Sequence, residues 1–147
     1  MLALSTVAMN ENGHWNNDSV TLASNLLHGI STFEFLFTLE VVKNLMGYLR
    51  TLTVRILEKK TEISQVYTHV MTVKRTLRNV REMIDAKHGI YYQYALDVAV
   101  ENDIPVKKPR VCTIQVNREN YDTDSISDYY KVSLTIPFLD NLIEPMN

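Results

Sequence analysis

The chain has 147 residues, a net charge of −2 and 46% apolar residues. This length suits one domain with a single core, the apolar content excludes a disordered chain, and the charge gives no global attraction to a polyanion. The single cysteine, Cys112, excludes an intramolecular disulfide, and no apolar run reaches the roughly 18 residues of a membrane span.

Residues 1–17 show little periodicity and are read as an irregular opening segment, with Trp15 as its anchor on the rest. They lack the basic start of a secretory signal, so a soluble intracellular protein is expected. Asn17 or Asp18 can cap a short helix through SVTLASNLLH, with Val20, Ala23, Leu26 and Leu27 on one side and Gly29 as its stop. Ser31 followed by Glu34 is a capping-box pattern for the next helix, which runs to about Leu57. Its apolar residues from Phe33 to Met46 wrap most of the circumference, the pattern of a buried central helix. Gly47 costs this helix about 1 kcal/mol relative to alanine.

Lys59 and Lys60 make a polar corner, and Thr61 can cap a helix of a different kind. Here Ile63, Val66, Val70, Val73, Leu77, Val80 and Ile84 recur at alternating steps of three and four, with polar residues almost everywhere else. Such a stripe lies along one partner with its far side in water. The short link favours the preceding helix as an antiparallel partner; a helix of another chain is the alternative. Gly89 is the predicted break before a fourth helix, marked by Ile90, Tyr91, Tyr94, Ala95, Val98 and Ala99 and ending near Asp103. Pro105 and Pro109 open a basic linker that carries Lys107, Lys108, Arg110 and Arg118. Within it VCTIQVN reads as loop rather than strand. Asp124 or Ser125 starts a last helix, bent at Pro137. The expected fold is all-α, an antiparallel helical bundle of four to five helices. Its divisions are the opening segment 1–17, the bundle 18–104, the linker 105–124 and the C-terminal helix 125–147.

Charge is unevenly spread. There is no Lys or Arg from Met1 to Glu40, while seven bases face three acids between Lys59 and Lys87. From Lys107 to Arg118 there are four bases and no acid, and from Glu119 onward six acids and one Lys. A basic middle is either a binding face or the solvated side of helices. On the first reading Lys107, Lys108, Arg110 and Arg118 are the leading phosphate contacts, followed by Lys74, Arg75, Arg78 and Arg81. Tyr91, Tyr92, Tyr94, Tyr129 and Tyr130 either stack on bases or pack a core with their hydroxyls at the rim.

Catalytic patterns are absent from the sequence. The four glycines are widely separated, so none forms a phosphate loop, and there is no paired-Cys or HExxH metal spacing. His14, His28, His69 and His88 lie far apart and read as surface or helix-end residues. Asp122, Asp124 and Asp128 complement the start of the last helix; a metal-dependent nuclease built on them ranks last. No catalytic residue, metal, cofactor, small-molecule ligand or membrane contact is expected.

The segments GHWNNDSVTLASNLLHGISTFEFLFTLEVVKNLM, LTVRILEKKTEISQVY, VKRTLRNVR and SISDYYKVSLTIPFLDNLI, in this order, resemble hAT-superfamily transposases. Within that superfamily the resemblance is to the transposon-derived group called 52 kDa repressor of the inhibitor of the protein kinase-like, and to MYM-type zinc finger relatives. It covers nearly all of the chain from about Gly13. Full-length members have an RNase H-like core with Asp, Asp and Glu holding divalent metal, interrupted by a large helical insertion. The chain resembles that insertion alone. No residue matches a catalytic position, and the Arg-Trp motif of the insertion is not found, because Trp15 follows His14. The resemblance implies a non-catalytic, DNA-associated or oligomerising fragment in the nucleus. The alternative function is a protein–protein module pairing through the Ile63–Ile84 stripe, with itself or a related transposase-derived chain.

Overall fold

The computed structural model describes residues 2–10, 13–57, 62–109 and 123–146. They form helices α1 (Leu2–Met9), α2 (Asn17–Ile30), α3 (Phe33–Leu57), α4 (Ile63–Glu82), α5 (Ile84–Glu101), α6 (Ile126–Tyr130) and α7 (Ile136–Ile143). A wide π-helical stretch, Lys131–Thr135, joins the last two, and one turn of 3-10 helix follows α7. No strand occurs among the described residues, and none of their helices is long and apolar enough to cross a membrane.

The opening segment departs from its reading as irregular. Residues 2–9 are helical and pack along α2. Their lack of a polar–apolar period hid them, yet Leu, Ala and Met favour helix intrinsically. The cap of α2 is Asn16, whose Oδ1 accepts the Ser19 N–H at 2.7 Å. Gly29 does not stop the helix, which runs on until Ser31 ends it. Ser31 being used there, Thr32 caps α3 instead, its Oγ1 accepting the Phe35 N–H at 3.2 Å.

The core lies where α3, α4, α5 and the C-terminal helices meet. Helix α3 contributes Phe33, Phe37, Val41 and Leu45, one residue in four and hence a single stripe. Its other flank, with Phe35, Leu39 and Met46, is exposed. The apolar wrap therefore does not make α3 buried all round, because α4 and α5 cover only part of it. Only five residues separate α3 from α4, so the chain doubles back and the two form a hairpin. Helix α4 supplies Val73, Leu77 and Val80, and α5 supplies Ile84, Tyr91, Ala95 and Ala99. The break before α5 falls at Met83 rather than Gly89, which is accommodated inside the helix. Small residues at 95 and 99 let α5 lie close to α3.

At Pro137 the last segment is helical on both sides, joined by a widened stretch. The Ile136 N–H reaches the Lys131 carbonyl, five residues back. Pro137 stands at the start of α7, where its missing N–H and its ring meet a widened turn rather than a regular one. In an α-helix, residues five apart point about 140° away from each other. In the wide turn Tyr130 and Thr135 lie nearly one above the other, and both are fully buried.

Candidate functional site

The cations singled out by the sequence divide between two clefts. Lys74, Arg75 and Arg78 line a groove of about 520 Å³ along α4, with Thr68, Met71 and Thr72. Lys74 is buried there, whereas Arg75 and Arg78 are exposed. Arg81, one turn on, grips Asp140 of α7, with Nε 2.8 Å from Oδ1 and a terminal guanidinium nitrogen 3.4 Å from Oδ2. Its geometry is that of a clasp between helices. A second cleft, of about 430 Å³, lies where the α2–α3 corner meets residues 105–109; Lys107, Lys108, His28 and Glu34 line it. The Lys107 side chain is exposed, while Lys108 donates to the Thr123 carbonyl oxygen at 2.6 Å and to Thr123 Oγ1 at 3.2 Å. Arg110 and Arg118, and with them Cys112, Asp122 and VCTIQVN, lie outside the described residues.

The stripe of α4 is divided along its length. Val73, Leu77, Val80 and Ile84 are in the core, Val66 and Val70 are half-buried, and Ile63 is 90% exposed. Helix α4 packs against α3 and α7, and the cover falls away toward Ile63.

The tyrosines divide as well. Tyr91, Tyr129 and Tyr130 are buried, the last within 5.4 Å of Phe33 and 5.2 Å of Phe37 between ring centres. Burial pushes the Tyr91 phenol up to about 12. Tyr94 is exposed, with the Lys43 ammonium 4.4 Å from its ring centre. That lysine also binds the buried carboxylate of Glu40 at 2.7 Å, which takes a second bond from Asn44 at 2.6 Å.

His88 departs most from its reading as a surface or helix-end residue: it is 3% exposed. Its Nδ1 lies 3.0 Å from Thr135 Oγ1 and its Nε2 3.1 Å from Ser127 Oγ. The ring stacks on Tyr92 and meets the edge of Phe37. A neutral imidazole offers one donor and one acceptor, and a hydroxyl can serve as either, so both nitrogens are satisfied without charge. Burial is the main cause holding its pKa below the ordinary 6.5, with the Lys131 ammonium adding to it. The Ser127 hydrogen bond and the carboxylates of Asp128 and Asp85 oppose the shift. Lys131 bridges those two acids, at 2.9 Å and 3.0 Å. The node therefore fastens α5 to the C-terminal helices by a polar contact inside an aromatic cluster. Spacing held a signal for it: His88 falls in the stripe Ile84, His88, Tyr91, Ala95, Ala99. Among the described residues no three His, Cys, Asp or Glu side chains converge as a metal site.

No protein-family model matches the chain, and no solved structure matches it. It is 24% identical over 147 residues to the human (Homo sapiens) protein named 52 kDa repressor of the inhibitor of the protein kinase, an alignment covering 99% of the chain and 19% of that protein. The mouse (Mus musculus) protein of the same name is 24% identical over 136 residues, covering 92% of the chain and 18% of that protein. The chain thus spans about a fifth of the length of the curated relatives it matches.

Proposed function

We propose that the chain is a non-catalytic helical module, related to the helical insertion of hAT-like transposases, that supports nuclear DNA association by contacting the phosphate backbone. The observation that carries this reading is a similarity running through almost the whole chain to a protein named as a repressor. The all-helical architecture agrees with it. Arg75 and Lys107 are exposed, one on each cleft. Lys74 is buried, Arg81 is clasped to Asp140 and Lys108 is bound to Thr123, so these serve the fold first. Two or three phosphate contacts on a chain of charge −2 give low affinity that fades with salt, with a log–log slope of about −2 to −3. Fluorescence anisotropy with a labelled duplex tests this. Binding at low salt is expected, and Arg75→Ala with Lys107→Ala should weaken it and flatten the slope by about 2. No binding at low salt overturns it.

A second reading is favoured by a separate observation. At the turn end of the α3–α4 hairpin the apolar side chains Leu57, Ile63 and Tyr67 are exposed, which suits pairing with another helical chain.

A further inference from the structure

We infer that helices α1 and α2 form an arm that closes about the Ser31–Thr32 link onto the outer face of α3, a strap with an open and a closed position. In the structure the arm is open. Helix α2 packs chiefly on α1 and meets α3 only sparsely. Of its residues only Ala23 is buried. Leu22 and Leu26 are 61% and 49% exposed, and Trp15, just before α2, is 49% exposed. The Trp15 N–H donates to Asn10 Oδ1 at 3.1 Å and its carbonyl oxygen accepts from Asn10 Nδ2 at 3.2 Å, so this residue moves with the arm. The side of α3 opposite its core stripe is bare as well, with Phe35, Leu39 and Met46 all exposed.

The two exposed rows match residue by residue. Outward from the link, Leu26, Leu22 and Trp15 stand four and then seven apart, and Phe35, Leu39 and Met46 repeat the same steps. Steps of four and seven keep a row on one side of a helix. Equal steps let two antiparallel helices bring every member of one row onto a member of the other. The link of two residues has the length that joins antiparallel helices. Closure then sets Leu26 on Phe35, Leu22 on Leu39 and Trp15 on Met46. Leu26 and Phe35 lie five and three residues from the link, an offset of about 3 Å and less than one helical turn. Charge follows the same register. Asp18 stands four residues beyond Leu22 and Lys43 four beyond Leu39, so closure sets an acid opposite a base. Lys43 already binds Glu40, and its three donors can serve both carboxylates. The arm carries no Lys or Arg to oppose Lys43 or the exposed Arg50. Because His28, Ser31 and Thr32 line the cleft that holds Lys107, closure also reshapes that cleft.

Pulsed dipolar electron paramagnetic resonance on the full chain tests the inference. Spin labels go on Asn17→Cys and Thr53→Cys, both exposed positions, in a Cys112→Ser background. In the closed register Asn17 lies opposite Asn44, nine residues from Thr53. That is about 14 Å along the axis and, with the spacing of packed helices, about 17 Å between Cα atoms. The expected result is a short-distance population of that size beside a longer one. Leu22→Asp/Leu39→Asp sets two carboxylates face to face and should cut the short population at least about fivefold, with circular dichroism unchanged. The gentler Asp18→Lys should lower it about twofold. A single long distance in the parent chain overturns the strap. A short population unchanged in the double variant places the contact on other residues and overturns the register. Loss of the short population on dilution with unlabelled chain means that it arises between copies, and overturns closure within one chain.

Discussion

At the base of the α3–α4 hairpin, Phe37, Leu45 and Leu77 are withdrawn from water, while at its turn end Leu57, Ile63 and Tyr67 stand in it. Both ends are built from the same side chains at helical spacing. The difference is what lies beside them: the base is covered by α5 and α7. Hydrophobic stabilisation follows area removed from water rather than residue type. One stripe therefore carries folding energy over its lower half, while Ile63 at its far end contributes little.

The largest effect that would sharpen this comparison is at Leu77. Leu77→Ala should cost about 2–5 kcal/mol, because it empties a fully covered site. Ile63→Ala should stay within about 0.5 kcal/mol under conditions where the chain is monomeric. Equal urea midpoint shifts for the two would break the comparison.

Next in size is His88. His88→Leu leaves the buried Thr135 hydroxyl with only its 3.5 Å approach to the Tyr130 carbonyl oxygen, an expected loss of about 1–3 kcal/mol. The parent chain should also show an acid dependence traceable to this ring. Its folded pKa lies below the unfolded 6.5, so its stabilising contribution is complete above 6.5 and is lost as pH falls through the lower folded value. Thermal melts between neutral and mildly acidic pH should show this slope in the parent and a shallower one in His88→Leu. Equal slopes would remove His88 as the source.

The smallest effect belongs to the clasp between Arg81 and Asp140. With side chains 38% and 51% exposed, a double-mutant cycle should return about 0.2–1 kcal/mol, shrinking as salt is raised. A coupling above 2 kcal/mol would mean that this pair, rather than Leu77, governs how α7 closes the base.

The all-α class, the α3–α4 hairpin and the presence of α4 were legible because strict three–four spacing and short links are local signals. Helix α1 was not, since its eight residues LALSTVAM show no polar–apolar period to read. The fate of Ile63 against that of Leu77 could not be read either, because the stripe repeats identically and the covering helices come from later in the chain. His88 was missed by weighing the residue type before its place in the α5 stripe. Among the basic candidates, composition identified the cations, but the roles of Arg81 and Lys108 in holding Asp140 and Thr123 depend on tertiary neighbours 59 and 15 residues away.

The widened turn at Lys131–Thr135 sets the angular phase between the two pieces it joins. Thr135 meets His88 and Leu139 enters the core because the chain there carries one residue more than a regular coil would use. Removing one residue from this stretch would restore regular bonding with Leu139 near its present phase, whereas drawing the same residues into a regular helix would turn Leu139 by about 100°. The wide turn therefore absorbs one residue without disturbing the face that the last helix presents to the core.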